Sequence, residues 1–216
     1  MVRVKICCIA SKQEAADAIA FGASAVGLVG KMPSGPGPIS DEDIYRIAKT
    51  VPPPVATFLL TSEQTPRGII EHHLRTRTTA IQIVDELKGR DYDTIRASLP
   101  GVKLVQVIHV LGDESIDEAC QLGEHVDVIL LDSGNPKLAV KELGGTGRRH
   151  DWNVSRRIVE RCGRPVFLAG GLDAGNICKA IETVQPFGVD LCSGVRTDGK
   201  PDLRKLEVFF SAVVVE

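Results

Sequence analysis

The sequence is poor in aromatic residues and has no apolar run long enough to cross a membrane. Phe, Trp and Tyr make up 4% of its 216 residues. The core must therefore be built from Val, Ile, Leu and Ala, the residues that fill parallel sheets and barrels. A membrane helix needs roughly 20 consecutive apolar residues, and the N-terminus has no signal-peptide pattern. We expect a cytoplasmic protein without a membrane partner.

Neither sign of charge predominates in the sequence. Lys and Arg number 26, Asp and Glu number 28, and the formal net charge is −2. This balance argues against a general nucleic-acid binder. Basic residues do cluster at Arg75–Arg77, but such a cluster is typical of a solvated helix end or loop. We therefore expect no nucleic-acid partner, and the sequence leaves the oligomeric state open.

The cysteines and histidines show no spacing that is typical of a metal site. Six cysteines are scattered without a CxxC pattern, and His72 and His73 are adjacent, unlike the i, i+4 arrangement of zinc-binding helices. In a chain of this size without a secretion signal, such cysteines are expected to be reduced cytosolic thiols. We predict no metal ion.

Short apolar runs alternate with helical stretches along the whole chain. Most runs are spaced by about 20 to 30 residues, the length of one βα unit. Eight such units in 216 residues predict a single (β/α)8 TIM barrel domain spanning residues 1–216, with a doubly wound open sheet as the alternative. The predicted strands are Val2–Cys7, Ala25–Val29, Val55–Leu60, Ala80–Val84, Val102–His109, Val126–Leu131, Pro165–Ala169 and Val189–Cys192.

Several helices are marked by capping residues. Ser11 and Glu14 form a capping box, and the helix that follows is expected to end at Gly22, a plausible left-handed C′ residue. Three more helices are predicted to begin at Ser40, at Thr65 with Pro66 in the first position, and at Asp202. The longest predicted loops, Gly30–Pro38 and Asp132–His150, both follow strands, so they should lie on the active-site face of a barrel.

The first strand ends in a candidate general base. Residues 2, 4, 6 and 8 are apolar or Cys, whereas Arg3, Lys5 and Cys7 alternate with them, so the second set should face the barrel interior and Cys8 the helices. Cys7 then lies at the upper rim with Lys5 below it, and a nearby ammonium favours a thiolate. The alternative is that Cys7 is a small buried apolar residue, as most free cysteines are.

Asp132 and three glycine-rich segments provide further candidate site residues. Asp132 follows an apolar strand, so it lies either at the active-site rim or in a turn that its side chain caps. The glycine segments contain Gly144 and Gly145, then Gly170 and Gly171, and finally Ser193 and Gly194. Glycine allows a phosphate to approach backbone amides closely, and barrels often bind phosphate after strands seven and eight. A single Gly-Gly pair would equally suit a tight βα turn.

These segments resemble the phosphoribosylanthranilate isomerase family of tryptophan biosynthesis, whose members are (β/α)8 enzymes. The resemblance covers nearly the whole chain and depends on the order and spacing of several short motifs. Those motifs are Lys5–Cys7, Leu130–Asp132, Gly144–Gly147 followed by Asp151 and Trp152, Leu168–Leu172, Gly188–Asp190 and Ser193–Val195.

The resemblance implies an Amadori rearrangement of a small phosphorylated sugar, from an aminoaldose to an aminoketose, without a cofactor or a metal. It gives Cys7 the role of general base at the sugar C2′ and Asp132 that of general acid on the ring oxygen. It also implies that the turns after strands seven and eight bind the substrate phosphate. We predict that Gly144 and Gly145 belong to this phosphate-binding set and close over the sugar.

Two loops depart from the family pattern. The family usually has an arginine after strand two that holds the substrate carboxylate, whereas residues 32–38 contain none. Lys31 is the nearest replacement, and Arg148 and Arg149 are other candidates. After strand four a usual Gln-Leu-His-Gly is replaced by residues 82–85, Gln-Ile-Val-Asp. One alternative is therefore an isomerase of a different phosphorylated ribosyl amine. Another is a phosphometabolite-binding protein without turnover, but the retained Cys7 and Asp132 argue against that second alternative.

Overall fold

A closed parallel barrel forms the centre of the molecule. The computed structural model describes residues 2–145 and 147–214, and within these ranges eight strands pair in sequence order, with the first closing against the eighth. The strands are β1 (Arg3–Ile6), β2 (Ala25–Val29), β3 (Ala56–Thr61), β4 (Ala80–Ile83), β5 (Lys103–His109), β6 (Val128–Asp132), β7 (Val166–Leu168) and β8 (Gly188–Leu191). The predicted (β/α)8 barrel is confirmed.

Eight α-helices in the described ranges surround the barrel. They are α1 (Lys12–Ala20), α2 (Asp41–Ala48), α3 (Pro66–Thr76), α4 (Tyr92–Ser98), α5 (Glu114–Gly123), α6 (Trp152–Arg161), α7 (Ile177–Val184) and α8 (Leu203–Val214). The predicted capping box starts α1: Ser11 Oγ accepts from the Glu14 amide at 3.2 Å, and the Glu14 carboxylate accepts from the Ala10 amide at 2.9 Å. The helix ends before Gly22, whose φ is +112°, as predicted.

The other predicted helix starts are also confirmed. Ser40 Oγ accepts from the amide of Asp43 at 3.1 Å, and Thr65 Oγ1 accepts from the amide of Gly68 at 3.2 Å. Asp202 accepts from the Arg204 amide at 3.0 Å. Each bond satisfies a backbone donor that the first turn of a helix leaves without an intrahelical partner.

A short hairpin between β8 and α8 was not predicted. Its strands are β9 (Arg196–Thr197) and β10 (Lys200–Pro201), and its turn residues Asp198 and Gly199 have φ of +49° and +75°. Two successive positive φ values are typical of a two-residue hairpin turn with an Asp-Gly sequence. The hairpin brings Arg196 back towards the end of β1.

The buried side chains form two apolar layers that follow the alternation of the strands. Val4 and Ile6 pack outward against the helices, whereas Val29, Leu60 and Phe167 fill the barrel interior. Lys5 and Cys7 belong to the inner set, as predicted, since both lie against Gly27 of the neighbouring strand.

The expected position of Cys8 is wrong. Strict alternation along β1 placed it with Val4 and Ile6 on the helix side. The strand instead ends at Ile6, and the backbone at Cys8 takes a φ of +62°, which turns its side chain towards the interior. Cys8 is buried beside Cys7 in the inner cluster. The two-residue period holds only within a strand.

Candidate active site

A cavity opens at the carboxyl ends of the strands. Its empty volume, including the open mouth, is about 730 Å³. Polar groups and apolar side chains both line this cavity. The lining residues include Cys7, Cys8, Asp132, Asp190, Cys192 and Ser193, the side chains of Met32, Leu60, Gln82, Val84 and Leu143, and the loop and turn residues Ser34, Gly144, Gly145, Gly147, Gly170 and Gly171.

Cys7 lies at the rim that the sequence predicted for it. Its amide donates to the Leu191 carbonyl at 2.7 Å, which ties the end of β1 to β8. A Cβ at Gly27 would lie 2.8 Å from Cys7 Sγ and 3.1 Å from Lys5 Nζ. Glycine at position 27 therefore gives the thiol and the ammonium room on the same inner side of the sheet.

Lys5 and Asp190 form an ion pair inside the barrel. Lys5 Nζ lies 2.6 Å from Asp190 Oδ2, and Lys5 has no exposed surface. Burial alone would lower the pKa of Lys5, but the Asp190 carboxylate outweighs it and the pKa of Lys5 is raised. The second carboxylate oxygen, Oδ1, has no hydrogen-bond partner within residues 2–145 and 147–214. Asp190 lines the cavity, and this oxygen is itself buried.

Asp132 closes β6 on the same cavity. Its Oδ1 accepts from the Ser133 amide at 2.7 Å. Burial raises the pKa of the Asp132 carboxyl above its usual range, although the Ser133 amide and the nearby His109 act in the opposite direction. A raised pKa keeps a fraction of the carboxyl protonated, which a general acid requires.

The glycine turns after β7 and β8 meet the loop after β6. Gly171 has a φ of +62°, and a Cβ there would lie 2.8 Å from the Gly147 carbonyl oxygen, so both its conformation and its packing favour glycine. Gly170 lies beside the Ser133 hydroxyl, and Gly147 beside the Ser193 hydroxyl. Three separate chain segments therefore form one concave wall.

The remaining predicted glycines have distinct positions. Gly144 lies against the carboxylate of Asp132, since a Cβ at Gly144 would be 2.7 Å from Oδ2. Gly145 packs on the ring of Pro36, from the loop after β2. Gly194 does not line the cavity: it packs against the backbone of Leu172 behind the turn. Gly144 and Gly145 thus connect Asp132 to the loops above the cavity.

The basic residues suggested for a substrate carboxylate lie outside the cavity lining. Lys31 is exposed, and its carbonyl accepts from Ser62 Oγ at 2.9 Å. Arg148 forms an ion pair with Glu142 on the exterior of the loop after β6. The Arg149 guanidinium lies 5.8 Å from the Trp152 ring centroid. In the described part of the chain, the cavity lining contains no Lys or Arg. The assignment to Lys31 and Arg148 stays a prediction.

Sequence reasoning missed three polar residues of the site. Asp190 and Gln82 line the cavity directly. His109, at the end of β5, donates from Nε2 to the Val84 carbonyl at 3.1 Å and lies beside Asp132, with which it is in register. Each lies at or near the carboxyl end of a strand, and that position was the available signal. His72, by contrast, lies on α3 and bonds to Thr61 Oγ1 at 2.9 Å.

Neither a metal cluster nor a membrane span is found in the part of the chain that the structure describes. No group of three or more His, Cys, Asp or Glu side chains there is arranged to hold a metal ion. No helix among these residues has both the length and the apolar character to cross a bilayer.

The fold is a (β/α)8 barrel with a polar cavity at the carboxyl ends of its strands. Comparisons with known proteins specify the family. The model of the N-(5'-phosphoribosyl)anthranilate isomerase family matches residues 4–212. The chain is 35% identical to the curated N-(5'-phosphoribosyl)anthranilate isomerase of Methanocella arvoryzae, over 100% of this chain and 99% of that protein. This chain therefore belongs to the phosphoribosylanthranilate isomerase family.

Solved structures agree with this assignment. The phosphoribosylanthranilate isomerase of Thermotoga maritima superposes with a TM-score of 0.80 at 30% identity, covering 98% of both chains. A phosphoribosylanthranilate isomerase in complex with reduced 1-(o-carboxyphenylamino)-1-deoxyribulose 5-phosphate superposes with a TM-score of 0.77 at 28% identity, again covering 98% of both chains.

Proposed function

We propose that this protein converts N-(5'-phosphoribosyl)anthranilate, an aminoaldose, into the corresponding aminoketose by an Amadori rearrangement. The observation that carries this proposal is that a thiol and a carboxyl with a raised pKa line one cavity together with glycine turns suited to phosphate. Family membership supplies the substrate class. The reaction would belong to tryptophan biosynthesis.

In the first step, Asp132 acts as the general acid. It transfers its proton to the ring oxygen of the ribose, the bond from C1′ to that oxygen breaks, and an open-chain iminium forms. Burial favours the protonated carboxyl, and the Ser133 amide stabilises the carboxylate that remains. The same group is therefore supported in both of its protonation states.

In the second step, Cys7 acts as the general base. Its thiolate removes the proton from C2′, the electron pair moves to the iminium, and the resulting enol tautomerises to the ketone. Lys5 lies below the thiol with its charge held by Asp190. A hydroxyl of the opened sugar would donate to Asp190 Oδ1, which has no partner among the described residues.

The phosphate would bind against Gly170, Gly171 and Ser193, with Gly147 adjacent. Backbone amides in left-handed turns form concave anion sites, and both glycines after β7 have positive φ. The aromatic ring would lie on the opposite wall, where Met32, Leu60 and Leu143 are the apolar residues. Gly144 and Gly145 would then cover the sugar, with Lys31 or Arg148 as candidates for the carboxylate.

One observation favours a second candidate substrate. No lysine or arginine lines the cavity among the described residues, so an aminoaldose phosphate whose aglycone carries no carboxylate would also fit. The acid–base steps would be unchanged. The deciding experiment measures turnover of N-(5'-phosphoribosyl)anthranilate by the purified protein, together with complementation of a tryptophan auxotroph that lacks this isomerase. Failure of both, with the fold intact, would favour the second substrate.

We also infer a cytoplasmic location. All six cysteines are free, which is the usual state of thiols in a reducing compartment.

A further inference from the structure

Two cysteine thiols that the reaction does not use lie in contact inside the active-site cavity. Cys8 Sγ and Cys192 Sγ are 2.8 Å apart, and both residues line the cavity. Cys8 lies just beyond β1 and Cys192 just beyond β8. The sulfurs of a disulfide are separated by about 2.05 Å, so a bond would require them to approach by less than about 1 Å.

The two thiols differ in acidity. The hydrogen bond with Cys8 lowers the pKa of Cys192, assisted by the charge of Arg196, while burial acts in the opposite direction. The same shared proton raises the pKa of Cys8. The first thiolate of the pair therefore forms at Cys192, which is also the more exposed of the two. A thiolate with a neighbouring thiol is the usual arrangement of a redox-sensitive pair.

We propose that Cys8 and Cys192 are a reversible oxidation site, which small-molecule disulfides convert into an intramolecular disulfide that inactivates the enzyme. The Cys192 thiolate attacks one sulfur of the small disulfide, and one small thiolate leaves. Cys8 then loses its proton to solvent and attacks Cys192 Sγ, and the second small thiolate leaves. Two cysteines are oxidised, and one small disulfide is reduced to two thiols.

Cys7 is not the partner in this bond. Cys7 and Cys8 are adjacent, and consecutive Cα atoms are about 3.8 Å apart. Disulfides usually span about 4.4 to 6.8 Å between Cα atoms, so a bond between neighbours would be strained. Cys192 comes from a different strand and has no such restriction.

The disulfide would disturb the site through three connections. Cys8 follows the proposed base Cys7, and Cys192 precedes Ser193 of the proposed phosphate turn. The Cys8 thiol also donates to the Pro36 carbonyl, with Sγ and O 3.6 Å apart, and oxidation removes that donor. A displacement of about 1 Å can cost about 100-fold in rate, so we expect at least about a tenfold loss. The inactivation rests on the proposed function, whereas formation of the bond does not.

A second thiol pair provides a control. Cys120 on α5 and Cys162 at the end of α6 share a hydrogen bond, but burial raises the pKa of Cys162 to about 12. Neither residue lines the cavity. This pair should react slowly, and oxidation there should not affect the cavity.

The experiment treats the full-length protein with cystamine, a small disulfide, and stops the reaction with acid. Free thiols are titrated after unfolding, the disulfide is located by peptide mapping, and isomerase activity is measured before and after dithiothreitol. The variants are Cys192→Ser, Cys8→Ala and the double variant Cys120→Ala with Cys162→Ala. Each is compared with its own reduced form, so altered basal activity does not affect the result.

We expect the wild type to lose the thiols of residues 8 and 192, as well as the exposed thiol of Cys178, and at least about tenfold in activity. It should yield a peptide linking residues 8 and 192 and recover with dithiothreitol. The double variant should behave like the wild type, and Cys192→Ser should keep its activity. Cys8→Ala should stop at the mixed disulfide of residue 192, which peptide mapping detects, and should form no link between two peptides. If either fails to fold, the other decides. Unchanged thiols, a bond confined to residues 120 and 162, or equal inactivation of Cys192→Ser would overturn the proposal. Because mapping does not depend on turnover, it distinguishes this failure from a wrong function.

Discussion

Arg196 holds the backbone at Cys8 in its left-handed conformation. Its Nη2 donates to the Cys8 carbonyl at 2.5 Å and lies 3.4 Å from the Cys7 carbonyl and from the Glu14 carboxylate. A non-glycine residue with positive φ costs roughly 1–2 kcal/mol and needs such support. The hairpin of β9 and β10 thereby fixes the position of the proposed base.

Replacing Arg196 should affect kcat more than KM. Arg196→Gln keeps a donor but removes the charge and the reach to two carbonyls, so Cys7 loses its position while the phosphate wall remains. We expect a decrease of about 10- to 100-fold in kcat, the scale of a misplaced catalytic group, with KM within a small factor of wild type. Arg196→Lys should recover part of the lost kcat. Equal changes in kcat and KM, or a loss explained by unfolding, would mean a structural role.

Cys7→Ala should lower kcat by at least about 100-fold with little change in KM, because a general base typically contributes this factor or more. The matched control is Cys8→Gly, which relieves the positive φ at that position and leaves the base in place. Steady-state kinetics of both variants provide the measurement. Near-normal turnover of Cys7→Ala would eliminate it as the base.

Asp132→Asn should abolish turnover yet stabilise the fold at neutral pH. The native pKa of Asp132 is raised by burial, so the native state holds its proton more tightly than the unfolded state. Wild-type stability therefore falls as pH rises from the unfolded pKa through the native one. The amide variant lacks this penalty and retains an acceptor for the Ser133 amide. Thermal unfolding at pH 5 and pH 8 measures the difference in stability between the variant and the wild type. A variant less stable than the wild type at both pH values would contradict this prediction.

For the same reason the activity attributed to Asp132 should decrease as pH rises through its raised pKa. The alkaline limb of kcat against pH should thus report a carboxyl that titrates above its usual range. Arg196→Gln serves as a control, since it leaves the surroundings of Asp132 intact and should preserve that limb. An alkaline limb that is absent in wild type would argue against Asp132 as the acid.

Gly171→Val should raise KM or abolish phosphate-ligand binding. The added Cβ would meet the Gly147 carbonyl at 2.8 Å, and the φ of +62° disfavours a branched residue. Gly163→Ala is the control, because Gly163 also has a positive φ but nothing lies within 4 Å of an added Cβ. Titration with inorganic phosphate and thermal unfolding separate the two effects: similar binding by both variants would remove the phosphate from this turn.

Lys31→Met tests recognition of the substrate carboxylate. A charged hydrogen bond contributes about 1.5–3 kcal/mol, so KM for N-(5'-phosphoribosyl)anthranilate should rise roughly 10- to 150-fold if Lys31 moves to bind the carboxylate. Arg148→Met is the parallel variant, and Lys137→Met, on the same side of the barrel, is the comparison. If both lysine variants behave alike, the loop after β2 does not recognise the carboxylate.

The barrel was predictable because its signals are local. Ala25–Val29 is a continuous apolar run with the length of one strand, and its bounds are those observed; the largest difference is at β6, which begins at Val128 rather than Val126. Cys8 was misplaced because its side depends on a single backbone angle just beyond the strand. Asp198 and Gly199 did carry a hairpin signal that was not used.

The positions of the proposed acid, base and phosphate turns could be predicted from the sequence, but not the contacts that connect them. Cys7 and Asp132 could be found because Cys7 directly follows β1 and Asp132 ends β6. That Gly144 lies on Asp132 while Gly194 lies behind its turn depends on packing between distant loops, which no local pattern specifies. Which oxygen of Asp190 has no partner depends on the pairing of Asp190 with Lys5, where β8 pairs with β1 and closes the barrel.

The pairing of Lys5 with Asp190 has a consequence for synthesis of the chain. The two residues are separated by 185 positions. At a synthesis rate of about 5–20 residues per second, Lys5 is therefore made roughly 10 to 40 seconds before Asp190. Until β8 is added, the barrel has a gap beside β1. The Lys5 ammonium, which is buried in the folded barrel, remains in water until then. Completion of the ring is therefore the event that buries this charge. Asp190 and Arg196, which support the thiol, are thus made long after the thiol itself.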